Sequence, residues 1–415
     1  MRVALMTAGS RGDVAPYTGL AHGLAQAGHE VTLVTHGCFA PLVASAGVAF
    51  HPLPIDPRAE LASARGRAFH QSATGVGRLV RLAHMARTLI GEMADDLLRA
   101  ARSSDVLLVS SSLGPLGHTL AEGLAMPSMG VYLQPMDPTG EFPPPVIGTR
   151  SLGRAGTRLA GHTLNVAVDG IYAETARELR TRLGLAPASS RAARRSRLRD
   201  WPVLHGFSPR VVPRPRDWRR GLSIAGYWWP HVPAETELSS ALRDFLADGP
   251  PPVFVGLGSA TVPDPDGLSR AVVRALRAAG LRGVIQRGWS GLHASAADML
   301  TVDEVSHAAA FPHMAAVVHH AGAGTTAAGL RAGVPTVPVP VQFDAAFWSS
   351  RLVALGTSPV SVPLRRLTAP GLASALKRAT TDPSYRQRAR DLATRIREED
   401  GVGPVLAAVD RLTGP

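Results

Sequence analysis

A run of very small residues next to two histidines lies at positions 317–335, VVHHAGAGTTAAGLRAGVP. His319 and His320 end an apolar strand, and Thr325 and Thr326 could cap a helix that starts there. Free backbone N–H groups and the dipole at a helix start bind anions, and small residues let a phosphate approach closely. The run therefore predicts either a diphosphate site, to which His320 donates a hydrogen bond, or an ordinary tight turn between strand and helix.

Two common nucleotide-binding motifs do not fit this run. No Gly-Lys-Thr or Gly-Lys-Ser follows, so it is not a P-loop. After Gly322 and Gly324 the third glycine falls at Gly329, which departs from the G-x-G-x-x-G pattern of dinucleotide-dependent hydride transfer. The sequence thus disfavours both a P-loop enzyme and a dinucleotide-dependent enzyme of hydride transfer.

A second candidate for chemistry is the carboxylate of Asp13 in GSRGDV, residues 9–14. A carboxylate within hydrogen-bond reach of a hydroxyl can take its proton as a general base. We expect this segment to be a loop directly after the first strand, where a parallel sheet binds its ligand. Asp13 could instead be an ordinary turn residue that caps the following helix. The rest of the loop is Ser10, Arg11 and Gly12.

Strand and helix patterns alternate in both halves of the chain. A buried strand at 2–9, a helix at 17–29 and a strand at 30–36 form a βαβ unit, which favours a parallel sheet. A similar alternation begins again at 251–259. We therefore predict an α/β protein with two doubly wound domains whose strand ends face a central cleft. The expected boundaries are an N-terminal domain at 1–209, a linker at 210–221, a C-terminal domain at 222–398 and a final helix at 399–415 that packs back on the N-terminal domain.

Composition limits the partners and the compartment. The net charge is +12, but Lys377 is the only lysine and the arginines are not interleaved with aromatic residues, so we expect no nucleic-acid partner. This arginine bias is typical of GC-rich genomes and predicts an actinobacterial source. Cys38 is the single cysteine, which excludes an internal disulfide and a cysteine-based metal cluster. Without a long apolar run or a secretory segment, the sequence predicts a cytoplasmic protein with no stable membrane insertion.

Four stretches, in order along nearly the whole chain, resemble family 1 glycosyltransferases with the GT-B fold. The longest is FPHMAAVVHHAGAGTTAAGLRAGVPTVPVPVQFDAAFW at 311–348, and the others are 9–35, 226–230 and 251–265. The most similar subgroup contains bacterial natural-product glycosyltransferases of the glycopeptide and macrolide type, and sterol 3-beta-glucosyltransferases. The resemblance implies two Rossmann-like domains and an inverting transfer of a sugar from a nucleoside-diphosphate sugar to a hydroxyl of a small molecule held by the N-terminal half.

The same resemblance implies roles for residues of this chain. His320 would bind the donor's β-phosphate, Asp344 would hold sugar hydroxyls, and Asp13 would take the proton of the acceptor hydroxyl. Backbone amides and the imidazole would stabilise the leaving group, so no metal and no cofactor beyond the UDP- or dTDP-linked sugar is expected. The DPD run at 264–266 is interpreted as a plain loop. Further donor contacts are expected at Ser259, Gln286, Trp289, Val305, Ala321, Gly322, Ala323, Gly324, Thr325 and Ala345.

Three departures from the family pattern stand out. Ala321 replaces the first of two glycines after the histidines, and Phe343 to Ala346 read Phe-Asp-Ala-Ala where relatives commonly have Gly-Asp-Gln-Pro. Without the glutamine, either the donor lacks a hydroxyl, as a deoxysugar would, or backbone groups or water replace the side chain. The strand end VSSSLG at 109–114 also lacks the carboxylate that orients the histidine base of many plant relatives, which carry that histidine at the position of Asp13.

Other functions stay open at this point. A sterol- or glycolipid-modifying UDP-glucosyltransferase is the first alternative. A nucleotide-sugar epimerase, or a non-catalytic protein that kept the donor pocket, would be of a different class. Residues 55–100 and 136–165 are expected to shape the acceptor pocket, but loops of that kind diverge freely, so the sequence predicts neither the acceptor nor the oligomeric state.

Overall fold

A computed structural model describes residues 1–62, 75–233, 235 and 237–413, and of residues 61–62 and 75–85 only the backbone. In this part of the chain, two parallel sheets confirm the predicted pair of doubly wound α/β domains. The first sheet has the strand order β3-β2-β1-β4-β5-β6-β7 and the second has the order β10-β9-β8-β11-β12. The strands are β1 (Arg2–Met6), β2 (Glu30–His36), β3 (Ala49–Leu53), β4 (Val106–Val109), β5 (Ser128–Tyr132), β6 (Val203–His205), β7 (Leu222–Ile224), β8 (Val253–Gly256), β9 (Gly283–Gln286), β10 (Met299–Val302), β11 (Ala316–His319) and β12 (Thr336–Pro338).

Helices cover both faces of each sheet, which explains why the central strands are almost continuously apolar. Strands β1 and β4, for example, are buried from Val3 to Met6 and from Val106 to Val109. The helices are α1 (Arg11–Gln26), α2 (Ala40–Ala44), α3 (Pro57–Ala62), α4 (Gly75–Arg102), α5 (Gly114–Gly123), α6 (Gly153–Arg182), α7 (Ser190–Asp200), α8 (Ser240–Ala247), α9 (Pro265–Ala278), α10 (His307–Ala310), α11 (Ala323–Ala332), α12 (Ala345–Ala354), α13 (Ala369–Thr381), α14 (Pro383–Arg397) and α15 (Gly403–Thr413).

The strand order creates one switch point in each sheet. In the first sheet the order reverses between β1 and β4, and in the second it reverses between β8 and β11. Loops on either side of such a point leave in opposite directions and open a crevice at the carboxyl ends of the strands. The segments that begin at Thr7, Ser110, Leu257 and His320 therefore border the two crevices.

The first domain extends further along the chain than the sequence predicted. Strand β7 pairs in parallel with β6, with Leu222 opposite Val203, so the residues after the predicted linker return to the first sheet. The sequence predicts that the C-terminal domain begins at residue 222, and the pairing of β7 with β6 corrects this boundary. Three residues are too short a run for a sequence pattern to distinguish a strand from a linker.

Apolar packing attaches helix α15 to the first domain and connects the two domains to each other. Val405 and Val409 of α15 belong to the same buried cluster as Leu5 of β1 and Leu20 of α1. Between the domains, the ring of fully buried Trp348 in α12 lies 6.0 Å from that of Phe207, measured between centroids. The facing crevices of the two sheets are thus held together by a shared core.

Candidate active site

Asp13 lies in the first turn of helix α1, not in a loop before it. The helix begins at Arg11 with Ser10 as its N-cap, whereas the sequence predicts a start near residue 17. The Ser10 backbone N–H and the Ser10 hydroxyl both donate to Asp13 Oδ2, at 2.9 and 3.0 Å. Because a carboxylate at the third helical position satisfies a free N–H at the cap, Asp13 serves the helix and also lines the cleft.

The loop before α1 fits closely around the Asp13 carboxylate. Gly9 has a φ of +144°, and a Cβ at this position would lie 2.6 Å from Asp13 Oδ2, so only glycine fits there. The Gly9 N–H donates to His36 Nε2 at 3.0 Å, and the Thr7 hydroxyl donates to the Asp13 carbonyl at 2.8 Å. Burial lowers the pKa of His36 to about 4, which keeps its Nε2 available as an acceptor at neutral pH.

Polar side chains from the next strand ends complete the surroundings of Asp13. Burial raises the pKa of the Asp13 carboxyl above its ordinary value, while hydrogen bonds from Ser10 and from the Gln134 side chain oppose that rise. Ser111 in turn donates to Gln134 Oε1 at 3.2 Å. The serine-rich end of β4 therefore supports the aspartate through Gln134. Sequence reasoning missed both Gln134 and His36, which could have been found because each ends or closely follows a strand.

His320 is packed between two glycines of the second domain. A Cβ on Gly258 would lie 2.9 Å from His320 Cε1, and one on Gly322 would overlap His320 Nε2. Burial lowers the pKa of His320 to about 4, so the ring is neutral at physiological pH. Its Nδ1 is buried without a hydrogen-bond partner in the described part of the chain. An imidazole held in this way, with an unpaired nitrogen, is suited to a polar ligand in the cleft.

Helix α11 begins directly after this histidine. Gly322 is its N-cap, so Thr325 and Thr326 lie inside the first turn instead of capping it as expected. With no side-chain cap on Gly322, the first backbone N–H groups of the helix, at Ala323, Gly324 and Thr325, lack the intrahelical partners that interior groups have. A helix start of this kind attracts anions.

Two of the departures from the family pattern lie at left-handed backbone positions. Among the described non-glycine residues, positive φ values occur at Ala125, Ala321 (61°) and Phe343 (52°). Glycine adopts this conformation more readily than other residues, which each pay on the order of 1 kcal/mol. Ala321 is fully buried, whereas Phe343 is 61% exposed. Phe343 lines the cleft, so the cost of its backbone conformation falls on a residue beside the candidate site and not on one in the core.

Asp344 faces the same cleft from the second domain. Its Oδ2 accepts a hydrogen bond from Trp348 Nε1 at 2.7 Å. Burial, and to a smaller extent the charge of Asp13, raise the pKa of Asp344 to about 6. Asp13 and Asp344 line the same cavity, one from each domain.

We expect Asp344→Asn to raise the melting temperature at pH 8 but not at pH 4. The folded-state pKa of about 6 lies above the ordinary value of 3.8. The carboxyl therefore contributes stability that is fully present below about pH 4 and is lost as the pH rises through about 6. Asparagine keeps an acceptor for Trp348 Nε1 but carries no charge. Thermal unfolding between pH 4 and 8 measures this difference, and the same shift at every pH would contradict it.

The remaining predicted donor contacts follow strands of the second sheet. Gln286 is the last residue of β9 and is 9% exposed, while Ser259 follows β8 and Val305 follows β10. Trp289 lies in the turn after β9, where its backbone N–H donates to the Gly258 carbonyl at 2.9 Å. These side chains lie at the same edge of the sheet as His320.

His307 also lines the cleft, although the sequence does not predict it as a site residue. Its ring stacks on Phe311 with a centroid distance of 4.4 Å and an interplanar angle of 16°. Burial, with smaller contributions from the charges of His320 and Arg11, lowers the pKa of His307 to about 4. Its position two residues after Val305, at the start of α10, is the sequence feature from which this role could have been predicted.

One cavity of about 1560 Å³ connects the two domains and contains nearly all of these residues. Ala321, which is fully buried, is the exception among the predicted site residues. The first domain contributes the α1 start and the second contributes the α11 start. The predicted residues that line the cavity are Ser10, Arg11, Gly12, Asp13, Ser259, Gln286, Trp289, Val305, His320, Gly322, Ala323, Gly324, Thr325, Asp344 and Ala345.

The acceptor ranges predicted at 55–100 and 136–165 also border this cavity, except that residues 63–74 lie outside the described residues. The side chains that these two ranges contribute to the cavity are largely apolar. They include Ile55, Leu89, Ile90, Met93, Met136 and Val146.

The DPD run has a structural role at the start of a helix. Asp264 caps α9 by accepting the Gly267 N–H at 2.8 Å. Over the described ranges, no group of three or more histidine, cysteine, aspartate or glutamate side chains could hold a metal ion. Within the same ranges, no helix is both long and apolar enough to span a bilayer.

Two facing α/β domains, with a carboxylate at one switch point and a helix start beside a histidine at the other, form the architecture of a GT-B glycosyltransferase. Two family models match the chain. A glycosyltransferase family 28 N-terminal domain covers residues 3–130, and the C-terminal domain of erythromycin biosynthesis protein CIII-like proteins covers residues 286–407.

Similar proteins include transferases of two kinds. The O-mycaminosyltylonolide 6-deoxyallosyltransferase of Streptomyces fradiae is 36% identical over 97% of this chain and 95% of its own length. A sterol 3-beta-glucosyltransferase of Arabidopsis thaliana is 31% identical over 100% of this chain and 68% of its own length. The Streptomyces sp. SF2575 glycosyltransferase SsfS6, solved in complex with thymidine diphosphate, is 21% identical, with a TM-score of 0.66 and 99% of both chains covered. The chain belongs to the glycosyltransferase family that contains this deoxyallosyltransferase and this sterol glucosyltransferase. This membership confirms the resemblance seen in the sequence.

Proposed function

We propose that this glycosyltransferase moves a sugar from a nucleoside-diphosphate sugar to a hydroxyl of a small natural-product acceptor, with inversion. The observation that carries the proposal is that Asp13 and the α11 start, with His320, line one cavity from opposite domains. A donor held at the second site would present its anomeric carbon towards the first. Helix α11 and the neutral imidazole suit a diphosphate, and the supported carboxylate suits a base.

The reaction then proceeds in one displacement. The acceptor oxygen forms a bond to the anomeric carbon while the bond from that carbon to the β-phosphate oxygen breaks. The electron pair of the broken bond leaves with the diphosphate, and the hydroxyl proton passes to Asp13. Backbone N–H groups of α11 and one ring nitrogen of His320 stabilise the charge that develops on the diphosphate. With this stabilisation supplied by the protein, we propose no requirement for a metal ion or a further cofactor.

The donor sugar is proposed to be a deoxysugar on dTDP, with UDP as the other candidate nucleotide. Ala345 lines the cavity but has no side-chain hydrogen-bonding group, and strained Phe343 adds apolar surface beside it. A pocket without a partner for a sugar hydroxyl no longer selects for that hydroxyl. The names of two similar proteins, a 6-deoxyallosyltransferase and a structure with thymidine diphosphate, support this choice.

We expect Ala345→Gln to increase the preference for a fully hydroxylated donor over a deoxysugar donor by about threefold to tenfold. The added amide supplies one hydrogen bond to a sugar hydroxyl, which contributes on the order of 1 kcal/mol. The ratio of kcat/KM for UDP-glucose and for a dTDP-deoxysugar measures the change. Ala346→Gln is the matched control, because Ala346 is next in α12 but does not line the cavity. An unchanged ratio in Ala345→Gln would refute this assignment of donor.

The acceptor is proposed to be a largely apolar aglycone. The first domain's part of the cavity contributes side chains such as Leu89, Ile90 and Met93. Burying apolar surface there favours a polyketide-like or steroid-like molecule over a free sugar or a nucleotide. A sterol acceptor is the second candidate, because the plant sterol glucosyltransferase is 31% identical over the full chain.

A cytoplasmic location and an actinobacterial source also stay predictions.

A panel of dTDP- and UDP-sugars against macrolide aglycones and sterols, with intact-mass detection of products, tests the proposal. We expect release of nucleoside diphosphate only when a hydroxylated acceptor is present. Conversion of the donor sugar without acceptor would indicate an epimerase instead. Tight donor binding without turnover on any acceptor would indicate a non-catalytic binding protein, and product formation only with sterols would favour the second candidate.

A further inference from the structure

Arg11 forms an ion pair with Glu304 across the cleft. Arg11 is the first residue of α1 in the first domain, and Glu304 follows β10 in the second. The atoms Arg11 Nη1 and Glu304 Oε2 are 3.5 Å apart, and the side chains are 53% and 76% exposed. Exposed pairs of this kind contribute little to stability, so the guanidinium can exchange this carboxylate for another anion at little cost.

The Arg11 segment lies directly opposite the start of α11. The Gly12 carbonyl oxygen would be only 3.8 Å from a Cβ placed on Gly324. Pro16, inside α1, has no N–H, so this carbonyl lacks the donor that the fourth following residue would supply in a regular helix. The charge of Arg11 also reaches His307, whose pKa it lowers. Arg11 is therefore close to the place where the proposed diphosphate would lie, although it comes from the other domain.

We propose that Arg11 binds the diphosphate of the donor, and that Glu304 holds the Arg11 side chain while the site is empty of nucleotide. The inference rests on the proposed function, because it requires the diphosphate to lie at the α11 start. A guanidinium presents paired N–H donors that match two phosphate oxygens, and it stays charged at any relevant pH. As the bond from the anomeric carbon to the phosphate oxygen breaks, that oxygen gains the electron pair. The fixed charge of Arg11 offsets the negative charge that develops there.

This exchange gives the two residues opposite effects on nucleotide binding. Removing the Arg11 charge removes a contact with the diphosphate. Removing the Glu304 charge frees Arg11, so it should increase affinity, which the loss of an ordinary binding residue would not do. The increase must disappear when Arg11 is absent.

Calorimetric titration with dTDP and with UDP measures these effects in the full chain. We expect Arg11→Gln to weaken binding by about tenfold, since charge-assisted hydrogen bonds are stronger than neutral ones. Glu304→Gln should tighten binding by about threefold, and Arg11→Gln with Glu304→Gln should bind no better than Arg11→Gln alone. Arg11→Lys should recover part of the loss, and kcat should fall in Arg11→Gln more than in Arg11→Lys.

Asp303→Asn is the control for a general change of charge. Asp303 is next to Glu304 and also lines the cavity, but it pairs with Arg287 of its own domain at 2.9 Å. Its effect on affinity should be equal with and without Arg11. Equal affinity of wild type and Arg11→Gln, or a gain in Glu304→Gln that persists without Arg11, would overturn the inference while leaving the donor site intact. No binding of either nucleotide to the wild type would overturn the proposed function together with it.

Discussion

Asp13→Asn is expected to lower kcat by about a thousandfold while nucleoside diphosphate binds within about twofold of wild type. A positioned general base contributes about a hundredfold to ten-thousandfold to rate, and an amide cannot take the acceptor's proton. Its oxygen can still accept from the Ser10 N–H, which is 2.9 Å from Asp13 Oδ2, so the start of α1 is preserved. Single-turnover kinetics with saturating donor and acceptor separates the chemical step from binding.

The pH dependence gives a second measure of the same residue. Because burial raises the pKa of Asp13, we expect kcat/KM to fall on the acid side at a pH above the ordinary range of aspartate, and this limb to be absent in Asp13→Asn. Asp382→Asn is the matched control, because Asp382 also accepts a backbone N–H at a helix start, from Ser384 at 2.9 Å, but lies outside the cavity. A kcat in Asp13→Asn equal to that of the control would remove Asp13 from the mechanism.

His320→Ala is expected to lower kcat/KM for the donor by about tenfold to a hundredfold. The imidazole would donate one hydrogen bond to a charged phosphate, and such bonds contribute about 1.5–3 kcal/mol. Nucleoside diphosphate should bind more weakly as well, since the contact exists before and during the reaction. Initial rates at varied donor concentration and calorimetric titration with dTDP measure the two effects.

Stability must be measured beside activity for this variant, because the ring also fills the space between Gly258 and Gly322. His320→Gln keeps a side-chain amide as donor and should lose less activity than His320→Ala. His313, an exposed histidine of the same domain that does not line the cavity, provides the control variant His313→Ala. Equal kcat/KM in His320→Ala and His313→Ala would show that His320 does not contact the donor.

The fold could be predicted from the sequence because its central strands are apolar and regularly separated by helices. The start of α1 could not, since Gly12 and Pro16 both disfavour helix and drew the prediction towards a loop. The overlooked signal was Ser10 three residues before Asp13, the spacing of a helix cap. Strand β7 was also missed, because only its pairing with β6 identifies it as a strand.

The positions of the candidate residues could be predicted at strand ends but not where distant segments meet. His320 and the small residues after it are contiguous, so their arrangement could be read directly. By contrast, Gln134 reaches Asp13 from a loop more than 100 residues further along the chain. The pairing of Arg11 with Glu304 likewise depends on how the two domains face each other. No local pattern encodes such contacts.

A crystal structure of the Asp13→Asn variant with dTDP and a bound acceptor is the most direct measurement of how the two domains share the reaction. We predict the β-phosphate about 3 Å from a ring nitrogen of His320 and from backbone N–H groups at the start of α11, as hydrogen bonding requires. The acceptor hydroxyl should lie at a similar distance from the side chain of residue 13. A nucleotide bound away from His320, or an acceptor whose hydroxyls all lie beyond reach of residue 13, would contradict this mechanism.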